Sequence, residues 1–177
     1  QPMPLADEAQ GLDFEAGLAA ITADIPAASP PARALEGVRL LMLANTWCLR
    51  SLQAQELAAG VGAVQSRPAQ AFGPVAVTPD ELGNAWQDAK LHLPLRVALN
   101  GQPFGCPNAG EDMTFSFPQP VAHATKTRAM AAGSIVGSGT VSNKQGGLHG
   151  SSIANGGVGY CCLAEVRMYE AIEGGAP

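Results

Sequence analysis

A carboxylate set inside an apolar strand constrains this chain more than any other feature. Residues 12–22 read LDFEAGLAAIT, in which Leu12, Phe14, Ala16 and Leu18 alternate with other residues. A period of two belongs to a strand, and it places Asp13, Glu15 and Gly17 together on the opposite face. An ionised carboxylate on a largely buried sheet face is costly unless a cation meets it, whether a metal ion, an arginine or a lysine. What meets Glu15 is therefore the central functional question.

The surrounding segments suggest its neighbours. SPPARALEG, 29–37, has the form of a short helix opened by Ser29 and Pro30 and closed by Gly37. VRLLMLANTWCL, 38–49, is a continuous apolar run of the kind that forms a fully buried strand. LQAQELAAG, 52–60, reads as a second helix stopped by Gly60. AFGPVAVTP, 71–79, reads as a strand, with Pro79 starting a turn. HLPLRVALNGQPF, 92–104, predicts a hairpin turning at Asn100-Gly101. Phe117 to Met130 has helical spacing, with Lys126 and Arg128 near its end. Downstream, SIV predicts a short strand and CCLAEVRMYEAI, 161–172, a final strand.

Between Gly133 and Gly159, nine of 27 residues are glycine. Such a long polar stretch is usually functional or wraps a neighbour. Its GSGTVSN and NGGVG runs match neither a Walker A loop nor a dinucleotide fingerprint. The 21 glycines and 14 prolines of the chain point the same way as the strands. The expected class is mainly β with short helices (α+β), in a single domain over 1–177.

Several function classes are disfavoured. A net charge of −5 without a basic cluster argues against a nucleic-acid surface. No apolar run approaches the ~20 residues of a membrane span. No signal-peptide pattern is evident, although a chain opening on Gln1 leaves room for a lost upstream segment. Cys48, Cys106, Cys161 and Cys162 form no C-x-x-C pair and read as reduced core residues, which suggests a cytoplasmic setting.

In this order, LDFEAGLAAIT, VRLLMLANTWCLR, QSRPAQAFGPVAVTPDELG, HLPLRVALNGQPFG, HATKTR and AGSIVGSGTVSNKQG resemble the fumarylacetoacetate hydrolase family from Gly11 onward. The resemblance implies a mixed β-roll, commonly homodimeric. It also implies a Mg²⁺ or Mn²⁺ site gripping 2-oxo or 2,4-dioxo acids for C–C hydrolysis, decarboxylation or isomerisation. Family members usually carry an N-terminal region before the glutamate strand and closing strands after the position of Pro177, so a truncated domain is expected.

The implied metal site is incomplete. Glu15 matches the first glutamate of the family's Glu-x-Glu, but the second position is Gly17. Asn45 is retained where the family has Asn-Asp, yet the acid is replaced by Thr46. One carboxylate stands where three are expected, and a lone carboxylate holds Mg²⁺ poorly. Arg67 occupies the position of the family's lysine. Arginine stays charged and forks onto carboxylates, so Arg67 is expected to pair with Glu15 in the metal's stead. The alternative is an Arg67 that simply faces solvent.

Gln65, Gly139 and Thr140 match positions that hold substrate oxygens in the family, although GSGT is also consistent with a ligand-free turn. Lys144 and His149 lie on the Gly-rich segment, while His92 and His123 read as surface residues. Three readings follow: a degenerate member that keeps the pocket, a metal enzyme with a rearranged ligand set including Asp13, and a metal-free enzyme using Arg67 and Thr140.

Overall fold

The computed structural model describes residues 3–145 and 151–175. Its centre is a four-stranded antiparallel sheet of β1 (Leu12–Thr22), β2 (Val38–Leu49), β3 (Ala71–Val77) and β8 (Ile135–Thr140), in the order β3-β2-β1-β8. Two small ribbons accompany it, β4 (Trp86–Gln87) with β5 (Lys90–Leu91), and β6 (Val97–Leu99) with β7 (Gln102–Gly105). The helices are α1 (Pro31–Gly37), α2 (Arg50–Ala58), α3 (Pro118–Ala124) and α4 (Leu163–Ile172). This is the expected α+β architecture, and the described strands do not close into a barrel.

β1 and β2 pair in register along nearly their whole length, with Glu15 opposite Thr46 and Gly17 opposite Ala44. The alternation of β1 sorts its two faces. Leu18 and Ala20 enter the main core with Ile25, Leu41, Phe117 and Val121. Ala19 joins Met42 and Ala44 in a smaller cluster on the other face, which also carries Asp13, Glu15 and Gly17.

Local signals placed several elements well. The Asn100-Gly101 turn has both residues at positive φ, 51° and 80°, as a two-residue hairpin of this hand requires. Pro79 opens a 3₁₀ turn, Pro79–Ala85. Other expectations need correction. β2 is not fully buried, because Leu43 is 56% exposed. The helix expected over 117–130 ends at Ala124, where the Thr125 hydroxyl bonds back to the Val121 and Ala122 carbonyls at 3.2 and 3.1 Å. Met130 is instead bridged to Ile25 in extended form.

The largest correction concerns 161–172. Only its first two residues are extended: the Cys161 carbonyl accepts from the Ala16 N–H at 2.8 Å, and Cys162 bridges Glu15. The remainder is the helix α4. Good helix formers fill it, and Arg167 reaches Glu170 at 2.9 Å one turn on. Its start is fixed from outside, since the Asp13 carboxylate accepts from the Leu163 and Ala164 N–H groups at 2.7 and 3.1 Å.

Candidate functional site

Glu15 is 7% exposed and Asp13 2%, so both carboxylates leave water on folding. Two guanidinium groups answer them. Arg67 Nη1 lies 2.5 Å from Glu15 Oε2 and its Nη2 lies 3.4 Å from Oε1. Arg50 Nη2 bridges both acids, 2.8 Å from Glu15 Oε1 and 2.7 Å from Asp13 Oδ2, while its Nε donates to Asp13 Oδ2 at 2.9 Å. The Thr46 hydroxyl adds a contact to Glu15 Oε2 at 3.3 Å. The four charges cancel pairwise, which is the condition for keeping carboxylates buried.

The pairing of Arg67 with Glu15 was anticipated; the role of Arg50 was not. Its signal was present in the strand period. Once Glu15 faces Thr46, residues 46, 48 and 50 fall on one face, and the Arg50 N–H donates to the Gly11 carbonyl at 2.8 Å as the pairing continues. Burial works against the charge of Arg50, but the bond from Asp13 and the charges of Glu15 and Asp13 outweigh it and raise its pKa.

Gly17 stands where a side chain has no room. A Cβ built there would lie 2.4 Å from the Gly139 carbonyl oxygen and 3.1 Å from Ser138 Oγ. The cause is a bulge in β8, where the register shifts between Gly17 and Ala19 and Gly139 adopts φ 79°. Ser138 Oγ accepts from the Leu18 N–H at 3.0 Å, filling in for the interrupted ladder. Asn45, opposite Ala16, points away from the acids into an apolar groove of about 440 Å³ with Phe14, Trp47 and Phe72.

Thr140 lines a cleft of about 280 Å³ with Ser138, Ser142, Thr114, Glu111 and Asp112, and that lining includes neither Gln65, Gly139 nor Arg67. Gln65 is exposed, its N–H donating to Glu56 at 2.7 Å. Lys144 meets the cleft through its backbone, donating to Asp112 at 2.8 Å. His149 lies outside the described residues. His123 is exposed as expected, whereas His92 is half-buried beside Gly110.

The four cysteines are unpaired. Burial pushes the Cys161 and Cys162 thiols up to about 12 and about 11, and raises Cys48 as well. They remain protonated at neutral pH and supply no thiolate. Among the described residues, no three His, Cys, Asp or Glu side chains are grouped to hold a metal ion.

Residues 1–165 match the fumarylacetoacetate (FAA) hydrolase C-terminal family. The chain belongs to that family. No curated protein matches it. Among solved structures it is similar to a protein assigned to the fumarylacetoacetate hydrolase family from Yersinia pestis CO92, at TM-score 0.63 and 22% identity over 78% of this chain. It is also similar to 5-carboxymethyl-2-hydroxymuconate delta-isomerase from Mycobacterium smegmatis, at 0.61 and 21% over 79%. A third is fumarylpyruvate hydrolase from Pseudomonas aeruginosa, solved with Mn²⁺ and pyruvate, at 0.56 and 15% over 79%. The chain spans 65%, 52% and 57% of these three proteins, less than two thirds of each. At such identities the likeness establishes the fold. No described helix is long and apolar enough to cross a membrane.

Proposed function

We propose that this family member binds a small oxo acid but has lost metal-dependent C–C hydrolysis, Arg67 standing where the family's divalent ion would be gripped. The observation that carries the reading is the saturation of Glu15, whose two carboxylate oxygens are met by Arg67 and Arg50 at 2.5 and 2.8 Å.

The residues present do not fit a hard divalent cation. Asp13 spends its oxygens on Arg50 and the α4 N–H groups. Gly17 offers no oxygen, and its side-chain space is filled by the Gly139 carbonyl. Thr46 supplies a neutral hydroxyl already directed at Glu15. Mg²⁺ dehydrates reluctantly and needs carboxylate charge to do so, and two guanidinium groups at the same spot repel it further.

Arg67 retains the capacity to bind an anion. Its side chain is 31% exposed, and a ligand carboxylate would offer the same bidentate partner as Glu15. Gln65, Gly139 and Thr140 are proposed as further contacts on the strength of the family resemblance, as are the homodimer and a cytoplasmic location.

Calorimetric titration with Mn²⁺, followed by oxaloacetate and acylpyruvate assays with and without EDTA, tests the reading. We expect no site tighter than about 1 mM and no metal-stimulated turnover, with oxaloacetate binding that R67A abolishes. Stoichiometric Mn²⁺ binding with metal-dependent turnover would instead establish an active hydrolase, decarboxylase or isomerase with a rearranged ligand set.

A further inference from the structure

The turn that carries Arg67 is exposed and has little apolar anchorage. Val64 is 60% exposed and Gln65 is also exposed, and of residues 64–66 only the small Ser66 is buried. Four of its polar attachments converge on one side chain of α2. The Glu56 carboxylate accepts from three successive backbone N–H groups, Val64 at 2.9 Å, Gln65 at 2.7 Å and Ser66 at 3.2 Å. It also accepts from the Ser66 hydroxyl at 2.6 Å. Consecutive N–H groups turned inward make a concave anion site, and here the anion is supplied by the chain itself.

The geometry leads from that carboxylate to the acid face. Ser66 is fully buried, and its carbonyl accepts from the Leu49 N–H at 2.9 Å, which ties the turn to the end of β2. Arg67 follows directly, and its guanidinium reaches Glu15. α2 begins at Arg50, so one short helix presents the first guanidinium itself and sets the second through Glu56. We infer that Glu56 is the positioning residue that aligns Arg67 with Glu15, and with any anion that takes the place of Glu15.

Ionisation supports this geometry. The Ser66 hydroxyl, with the three N–H groups, holds the Glu56 carboxyl down at about 2 against the ordinary 4.5, so the latch stays charged at neutral pH. The inference rests on the reading of Arg67 given above, but its test uses neither metal nor oxo acid.

The two arginines give an internal control, because Arg50 and Arg67 are nearly equally exposed, at 32% and 31%. Phenylglyoxal modification of the full chain, mapped by mass spectrometry, reads how often each guanidinium leaves its carboxylates. E56Q places an N–H₂ group against backbone donors and should raise the Arg67 rate about tenfold relative to Arg50. S66A, which removes one of the four bonds, should raise it about threefold. An Arg67 rate unchanged in E56Q would overturn the positioning role. So would a parallel rise at Arg50 and Arg67 in both variants, the signature of general loosening. Tight Mn²⁺ binding at Glu15 would sink the proposed function while leaving this measurement standing.

Discussion

The acid face of β1 and the cleft beside Thr140 are served by neighbouring strands, yet the first buries its carboxylates and the second exposes them. On the acid face every charge has an answer: two buried carboxylates, two guanidinium groups and two helix N–H groups. In the cleft, the hydroxyls of Thr114, Ser138, Thr140 and Ser142 stand beside the exposed carboxyls of Glu111 and Asp112. The first arrangement pairs every buried charge, the condition on which carboxylates stay out of water. The second is open to solvent.

The contrast is sharpest at Asp13. Removing it leaves Arg50 with Glu15 as its remaining carboxylate partner among the described residues and strips the start of α4 of its carboxylate, so D13A should cost about 3–5 kcal/mol in urea unfolding. A loss below about 1 kcal/mol would mean that the buried network is not what holds this face together. G17E tests the space rather than the charge. With the Gly139 oxygen where its Cβ must go, the variant should lose about 1–3 kcal/mol and gain no Mn²⁺ affinity by calorimetry. Restored metal binding would show that β8 yields to the side chain. T140A, in the open cleft, should change stability by less than about 0.5 kcal/mol. A larger loss in the same urea titration would erase the distinction between the two regions.

These expectations bear on how much the sequence disclosed. β1, the Asn100-Gly101 hairpin and α1 were legible because their signals are local: alternation, a turn dipeptide, a proline at the helix start. The pairing of Arg67 with Glu15 was legible because a buried acid demands a cation and arginine cannot give up its charge. Arg50 escaped notice because its place depends on the register of β1 against β2, which no single segment contains. The segment 161–172 suggests a strand because Val166 and Ile172 suit either state, and the deciding N–H partner, Asp13, lies elsewhere in the chain. The β8 bulge that fills the space beside Gly17 is likewise a property of two strands together.

The capping of α4 by Asp13 has a consequence for the order of folding. The Asp13–Leu163 hydrogen bond joins residues 150 apart, and the Ala16–Cys161 bond spans a similar stretch. During synthesis, β1 emerges with its two acids long before α4 exists to receive one of them. Contacts of such separation form late, because the intervening chain must first be ordered. The strand that carries both acids is thus also a clasp, closed only when the far part of the chain arrives.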